Sequence, residues 1–134
     1  MTKILVIDDD ALVRSTVSRM LRCWGYEVVS AEDGRRGVEL FGSNNPALVI
    51  TDIIMPDKDG IETIREIRAM QPDAKIIAMS GGGRIGNLDF LKIAAKLGAA
   101  EIVNKPFEPA TLRACVTRCL DPCTGGATVP RLCA

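Results

Sequence analysis

Short apolar, β-favouring runs alternate along the chain with segments whose apolar residues recur at helical spacing. The first run, Lys3-Ile4-Leu5-Val6-Ile7, reads as a central strand, and it stops abruptly at Asp8-Asp9-Asp10. Leu12, Val13, Val17, Met20, Leu21 and Trp24 then follow helical spacing, with Asp10 as the N-cap and Gly25 as the stop. Residues 27–31 give a short second strand. Asp33-Gly34 opens a second helix with apolar contacts at Val38, Leu40 and Phe41, broken by Ser43-Asn44-Asn45-Pro46. Leu48-Val49-Ile50-Thr51 carries no charge and predicts a strand buried on both faces, with Asp52 where that strand runs out. Met55-Pro56 ends it, and residues 57–60 supply turn chemistry.

Beyond Gly60, the three-residue steps Ile61, Ile64, Ile67 and Met70 predict a helix closed by Gln71-Pro72. Residues 75–79 read as a fourth strand with Ser80 at its end, followed by a glycine run, 81–83, expected to be mobile. A helix over 88–97, stopped by Gly98, leads to a fifth strand over 99–103 and then to Asn104-Lys105-Pro106-Phe107. The last helix spans 109–120, with Pro109 in its first turn. Residues 121–134 show no periodicity and are expected to be a flexible tail after a single domain of residues 1–120.

Five strands alternating with five helices predict an α/β fold, a doubly wound parallel sheet. Such sheets place their active sites beyond the carboxyl ends of the strands. Asp8, Asp9, Asp52, Ser80 and Lys105 all fall at strand ends, so the topology delivers three carboxylates, a hydroxyl and an ammonium to one crevice.

Composition narrows the chemistry. The chain has 134 residues and no histidine, which removes His-based acid–base catalysis, Ser-His triads and His-ligated metals. Seventeen basic residues balance seventeen acidic ones, so there is no broad electrostatic footprint for nucleic acid. The apolar runs are too short to span a bilayer and no signal peptide is evident, which predicts a cytoplasmic protein away from the membrane. In that compartment the five cysteines, at 23, 115, 119, 123 and 133, read as structural or incidental thiols rather than disulfides. They lack the paired hooks of a metal site.

Crowded carboxylates call for a cation, and an all-oxygen donor set suits a hard ion such as Mg2+. Lys105 suits one phosphoryl oxygen and Ser80 can donate to another. A carboxylate can itself be the nucleophile that takes up a phosphoryl group. The set is complete for moving a phosphoryl group onto an aspartate.

Ile-Leu-Val-Ile-Asp-Asp-Asp, Val-Ile-Thr-Asp-Ile-Ile-Met-Pro-Asp-Lys-Asp-Gly, Met-Ser-Gly and Asn-Lys-Pro-Phe together resemble the receiver domain of bacterial two-component response regulators, over about residues 2–120. The resemblance implies a flavodoxin-like (βα)5 fold with strand order 2-1-3-4-5. It implies Asp52 as phosphoacceptor, and Mg2+ held by Asp8, Asp9, Asp52 and the backbone carbonyl of Ile54. It also implies phosphoryl contacts from Ser80 and Lys105 and a cis Lys105–Pro106 peptide. The implied partners are a sensor histidine kinase or phosphotransfer protein and a downstream target protein. With no output domain in the sequence, a stand-alone regulator that is not a turnover enzyme is expected.

Two positions depart from the family. Receivers usually carry Tyr or Phe three residues before the lysine as a rotating switch, and here that residue is Ile102. The glycine run after Ser80 makes the next loop roomier, which shifts the expected readout from Ile102 to residues 81–88. Three rival readings fit the sequence less well. A phosphohydrolase of the haloacid dehalogenase type would carry a second acid two residues after its nucleophile, where this chain has Ile54. A flavodoxin would need a hydroxyl-rich loop where this chain has three aspartates. A receiver kept only as a phosphorylation-independent scaffold is disfavoured by the intact acidic set.

Overall fold

Strand β1 (Lys3–Ile7) lies inside the sheet because residues 4–7 are apolar without a break and bury completely. The computed structural model describes residues 2–53, 60–80, 101–104, 108–120 and 131–133. Around β1 the chain lays down helix α1 (Ala11–Cys23), β2 (Glu27–Ala31), α2 (Gly34–Asn44), β3 (Leu48–Asp52), α3 (Gly60–Met70) and β4 (Ile76–Ser80). β5 (Glu101–Asn104), α4 (Pro109–Leu120) and β6 (Arg131–Cys133) complete the described elements. Every strand pairing is parallel and the order is β2-β1-β3-β4-β5-β6. The order 2-1-3-4-5 and the flavodoxin-like architecture are therefore as expected.

Period-two alternation divides the core between the two faces. Ile4 and Val6 of β1, Leu48 and Ile50 of β3, and Val103 of β5 pack with Val17 and Leu21 of α1 and Leu112 and Val116 of α4. Leu5, Ile7, Val49 and Ile102 point the other way, onto Phe41 of α2 and Ile64 and Ile67 of α3. β3 is buried along its whole length, which is what an uncharged run inside a parallel sheet requires. Met70 ends the apolar stripe of α3 but stays 47% exposed, one turn beyond the sheet contact.

The helix ends obey local chemistry. Asp10 caps α1, its side chain accepting from the amides of Leu12 and Val13, and Asp33 caps α2 by accepting from Arg36. Gly25 takes φ 94° after α1, and Asn45 closes α2 at φ 48°, the left-handed conformation that Asn tolerates better than most residues.

Two expectations need correction. Residues 131–133, assigned above to a flexible tail, form β6 and pair with β5 through Glu101–Arg131, Ile102–Leu132 and Val103–Cys133. A three-residue strand is too short to show periodicity, and the unpaired edge of β5 is a template for it. Cys115, read as a free thiol, is disulfide-bonded, whereas Cys23 and Cys119 are free. The expectation rested on compartment and on spacing along one helix, and neither reports which sulfurs the fold brings together. The predicted helix over 88–97, the glycine run and residues 121–130 lie outside the described residues. Among the described residues no helix is long and apolar enough to cross a membrane.

Candidate functional site

The strand order reverses between β1 and β3, because the chain goes from β1 outward to β2 and then returns to the other side. That reversal opens a crevice beyond the strand ends. Ile7 of β1 stands opposite Thr51 of β3, so Asp8 and Asp52 leave two adjacent strands at the same level. Asp8, Asp9 and Asp52 each bring a carboxylate oxygen to within 4.8 Å of the others, with Asp8 and Asp52 buried and Asp9 exposed.

The local chain explains how three consecutive aspartates take different tasks. Asp10 turns to the helix, where its Oδ1 accepts from the Leu12 amide at 2.9 Å and the Val13 amide at 3.4 Å. Asp8 is held at three atoms. Its amide donates to the Ala31 carbonyl at 3.2 Å, its own carbonyl accepts from Arg14 Nη1 at 2.7 Å, and its Oδ1 accepts from the Asp10 amide at 2.9 Å. Across the crevice, Thr51 Oγ1 donates to the Asp52 carbonyl at 3.0 Å, and the Ile53 amide donates to the Met79 carbonyl at 3.0 Å. These bonds fix the backbone on both sides of the acidic group.

Unit charges at that separation repel by about 3 kcal/mol per pair at an effective dielectric of about 20. A cation between them turns this repulsion into attraction. The donors are all carboxylate oxygens, two of them buried, which fits a hard divalent ion better than a soft one.

Register carries β4 and β5 toward the same edge. Asp52 stands opposite Met79, so Ser80 is the next residue of β4, and Ser80 pairs with Asn104, the residue before Lys105. The Ser80 side chain, the Ile54 carbonyl, Lys105 and the Lys105–Pro106 peptide lie outside the described part. Ile102 is 6% exposed and packs in the α2/α3 core, with Ala78 as its partner in β4. Arg14 went unnoticed in the sequence, because a basic residue early in a helix carries no motif.

A second polar group sits at the amino end of β5, away from the acids. Buried Glu101 receives a two-pronged contact from Arg118, Nη2 to Oε1 at 3.0 Å and Nε to Oε2 at 3.3 Å. That hydrogen bond raises the Arg118 pKa above its ordinary value. Burial, then the nearby Glu101 carboxylate, pushes the Cys119 thiol up to about 12.

The response regulator receiver domain family matches residues 4–117 of this chain. The chain belongs to that family. This receiver is 37% identical to the chemotaxis protein CheY of Thermotoga maritima over 109 residues, 81% of this chain and 88% of that one. It is 38% identical over 122 residues to the "Probable transcriptional regulator ycf27" of Galdieria sulphuraria, covering 89% of this chain but 46% of the relative. The receiver thus spans less than half the length of that relative and most of the other. Among solved structures, a response regulator receiver domain protein from Clostridium thermocellum superposes with a TM-score of 0.84 at 32% identity, over 90% of this chain and 95% of that one. Chemotaxis protein CheY4 of Vibrio cholerae gives 0.82 at 29% identity, over 90% and 99%.

Proposed function

We propose that this receiver takes a phosphoryl group onto Asp52 from a phosphohistidine of a sensor kinase or phosphotransfer protein, and that the phosphorylated form binds a downstream protein. The observation that carries this reading is the carboxylate trio at the reversal of strand order. Asp8, Asp9 and Asp52 would hold Mg2+, joined by the Ile54 carbonyl that the family resemblance implies. When bound, the ion supplies charge neutralisation for the transferring phosphoryl group. An Asp52 carboxylate oxygen attacks phosphorus, the P–N bond to the donor imidazole breaks, and its electron pair stays on the nitrogen. Ser80 and Lys105, to which the family resemblance gives this part, would take the phosphoryl oxygens. Such a transition state is loose, so placement and charge do most of the catalysis. The chain then acts as a cytoplasmic phosphoacceptor rather than a turnover enzyme.

Incubation with acetyl phosphate, followed by intact-mass measurement, tests this. One added phosphoryl group is expected in the presence of Mg2+ and none in Asp52→Asn. Equal incorporation in Asp52→Asn, or none in the parent protein, would contradict it.

A further inference from the structure

We infer that Arg14 is a positioning residue for the divalent-cation site, setting its affinity through the main chain of Asp8; this rests on the Mg2+ reading above. Arg14 sits in the opening turn of α1, its amide bonded to the Asp10 carbonyl at 3.0 Å. A cation there faces the positive end of the helix dipole, a placement that does not favour the helix. A residue that breaks a local preference marks a demand from elsewhere in the fold. The demand is visible at 2.7 Å, where Nη1 donates to the Asp8 carbonyl.

That bond closes a small, fully specified turn. Asp10 caps the helix, the Asp10 amide holds Asp8 Oδ1, and Arg14 reaches back from the helix to the carbonyl between those two residues. The peptide gripped by Arg14 is the one joining Asp8 to Asp9. Its orientation therefore decides how the two carboxylates face Asp52 together. Outer contacts of this kind, which orient residues that hold a metal, typically change affinity by about 10- to 100-fold when removed.

Two physical effects of Arg14 have opposite signs, which makes the inference testable. As a bare positive charge, Arg14 would compete with Mg2+, and its removal would tighten binding. As a positioning residue, its removal loosens binding. Calorimetric titration of the full chain with MgCl2, in the parent, Arg14→Met and Arg14→Lys, separates these effects. Thermal unfolding in EDTA reports whether each variant keeps its ion-free stability. Arg14→Met is expected to lose about tenfold or more in Mg2+ affinity while still melting cooperatively. Arg14→Lys, whose ammonium can make one bond to the same carbonyl, is expected between the two. Equal or tighter Mg2+ binding by Arg14→Met overturns the inference alone. Should Arg14→Met not melt cooperatively, Arg14→Lys decides: reduced affinity supports the assignment and parental affinity overturns it. A parent protein that binds no Mg2+ overturns the metal reading and this inference together.

Discussion

Two free thiols of this protein differ in one physical respect, access to water, and their chemistry should diverge accordingly. Cys23 is exposed on α1, whereas Cys119 is buried under α4 with its pKa pushed up to about 12, first by burial and then by Glu101. A raised thiol pKa means the folded state keeps its proton where the unfolded chain, with a thiol near 9.0, releases it. Stability from this group is therefore complete below the unfolded value and falls as pH climbs from about 9 toward about 12. Iodoacetamide at pH 8 is expected to label Cys23 quickly and to spare Cys119 until the protein unfolds, read by peptide mass spectrometry. Comparable labelling of both thiols in the folded protein would contradict the burial argument. Little of this was legible in the sequence. The four-residue spacing of Cys115 and Cys119 put both on one helix face, which is correct, since both bury against the sheet. It could not show that Cys115 pairs with another sulfur, nor that Cys119 lies near the buried Glu101 carboxylate of β5, a strand it does not belong to.

At the scale of elements, α2 reaches β1 only because residue 37 lacks a side chain. A Cβ there would meet the Ile7 side chain, with Cγ1 at 2.8 Å, inside a face where Ile7 is fully buried. Two effects compete in Gly37→Ala. Helix propensity favours alanine by about 1 kcal/mol, while overpacking a closed core costs about 1–3 kcal/mol. Ile7 is hemmed in by Phe41, Ile64 and the neighbouring strands, so the clash should win. A lower urea midpoint with unchanged slope is expected for Gly37→Ala. A raised midpoint would show that α2 moves away easily. The helices themselves were legible because their limits are local matters: Asp10, Asp33, Gly25 and the Asn-Asn-Pro break act within a few residues of the ends they set. β6 was not, because its pairing is decided by the free edge of β5. β4 and its neighbour were placed to within about one or two residues, the ordinary uncertainty of strand limits.

For the whole molecule, one rule made the acidic site legible. In a doubly wound parallel sheet the strands' carboxyl ends face the same edge, so aspartates scattered over positions 8, 9 and 52 point to one crevice from the sequence alone. The register of β1 with β3 brings Asp8 and Asp52 level, and the three carboxylates lie within 4.8 Å of one another. What escaped was the support: the three-point hold on Asp8 and the role of Arg14 depend on a turn whose hydrogen bonds leave no repeat in the sequence. The central claim is that Asp52, rather than its acidic neighbours, accepts the phosphoryl group. Asp52 stands at the carboxyl end of β3, 6% exposed, with a carboxylate oxygen within 4.8 Å of those of Asp8 and Asp9 on the neighbouring strand's end. An aspartyl phosphate reduced with borohydride becomes homoserine, which marks the modified position permanently. The most direct measurement is tandem mass spectrometry of the protein treated with acetyl phosphate and Mg2+ and then reduced. Homoserine at position 52 alone, absent when donor or Mg2+ is omitted, is the expected result; homoserine at position 8 or 9, or none anywhere, would contradict the account.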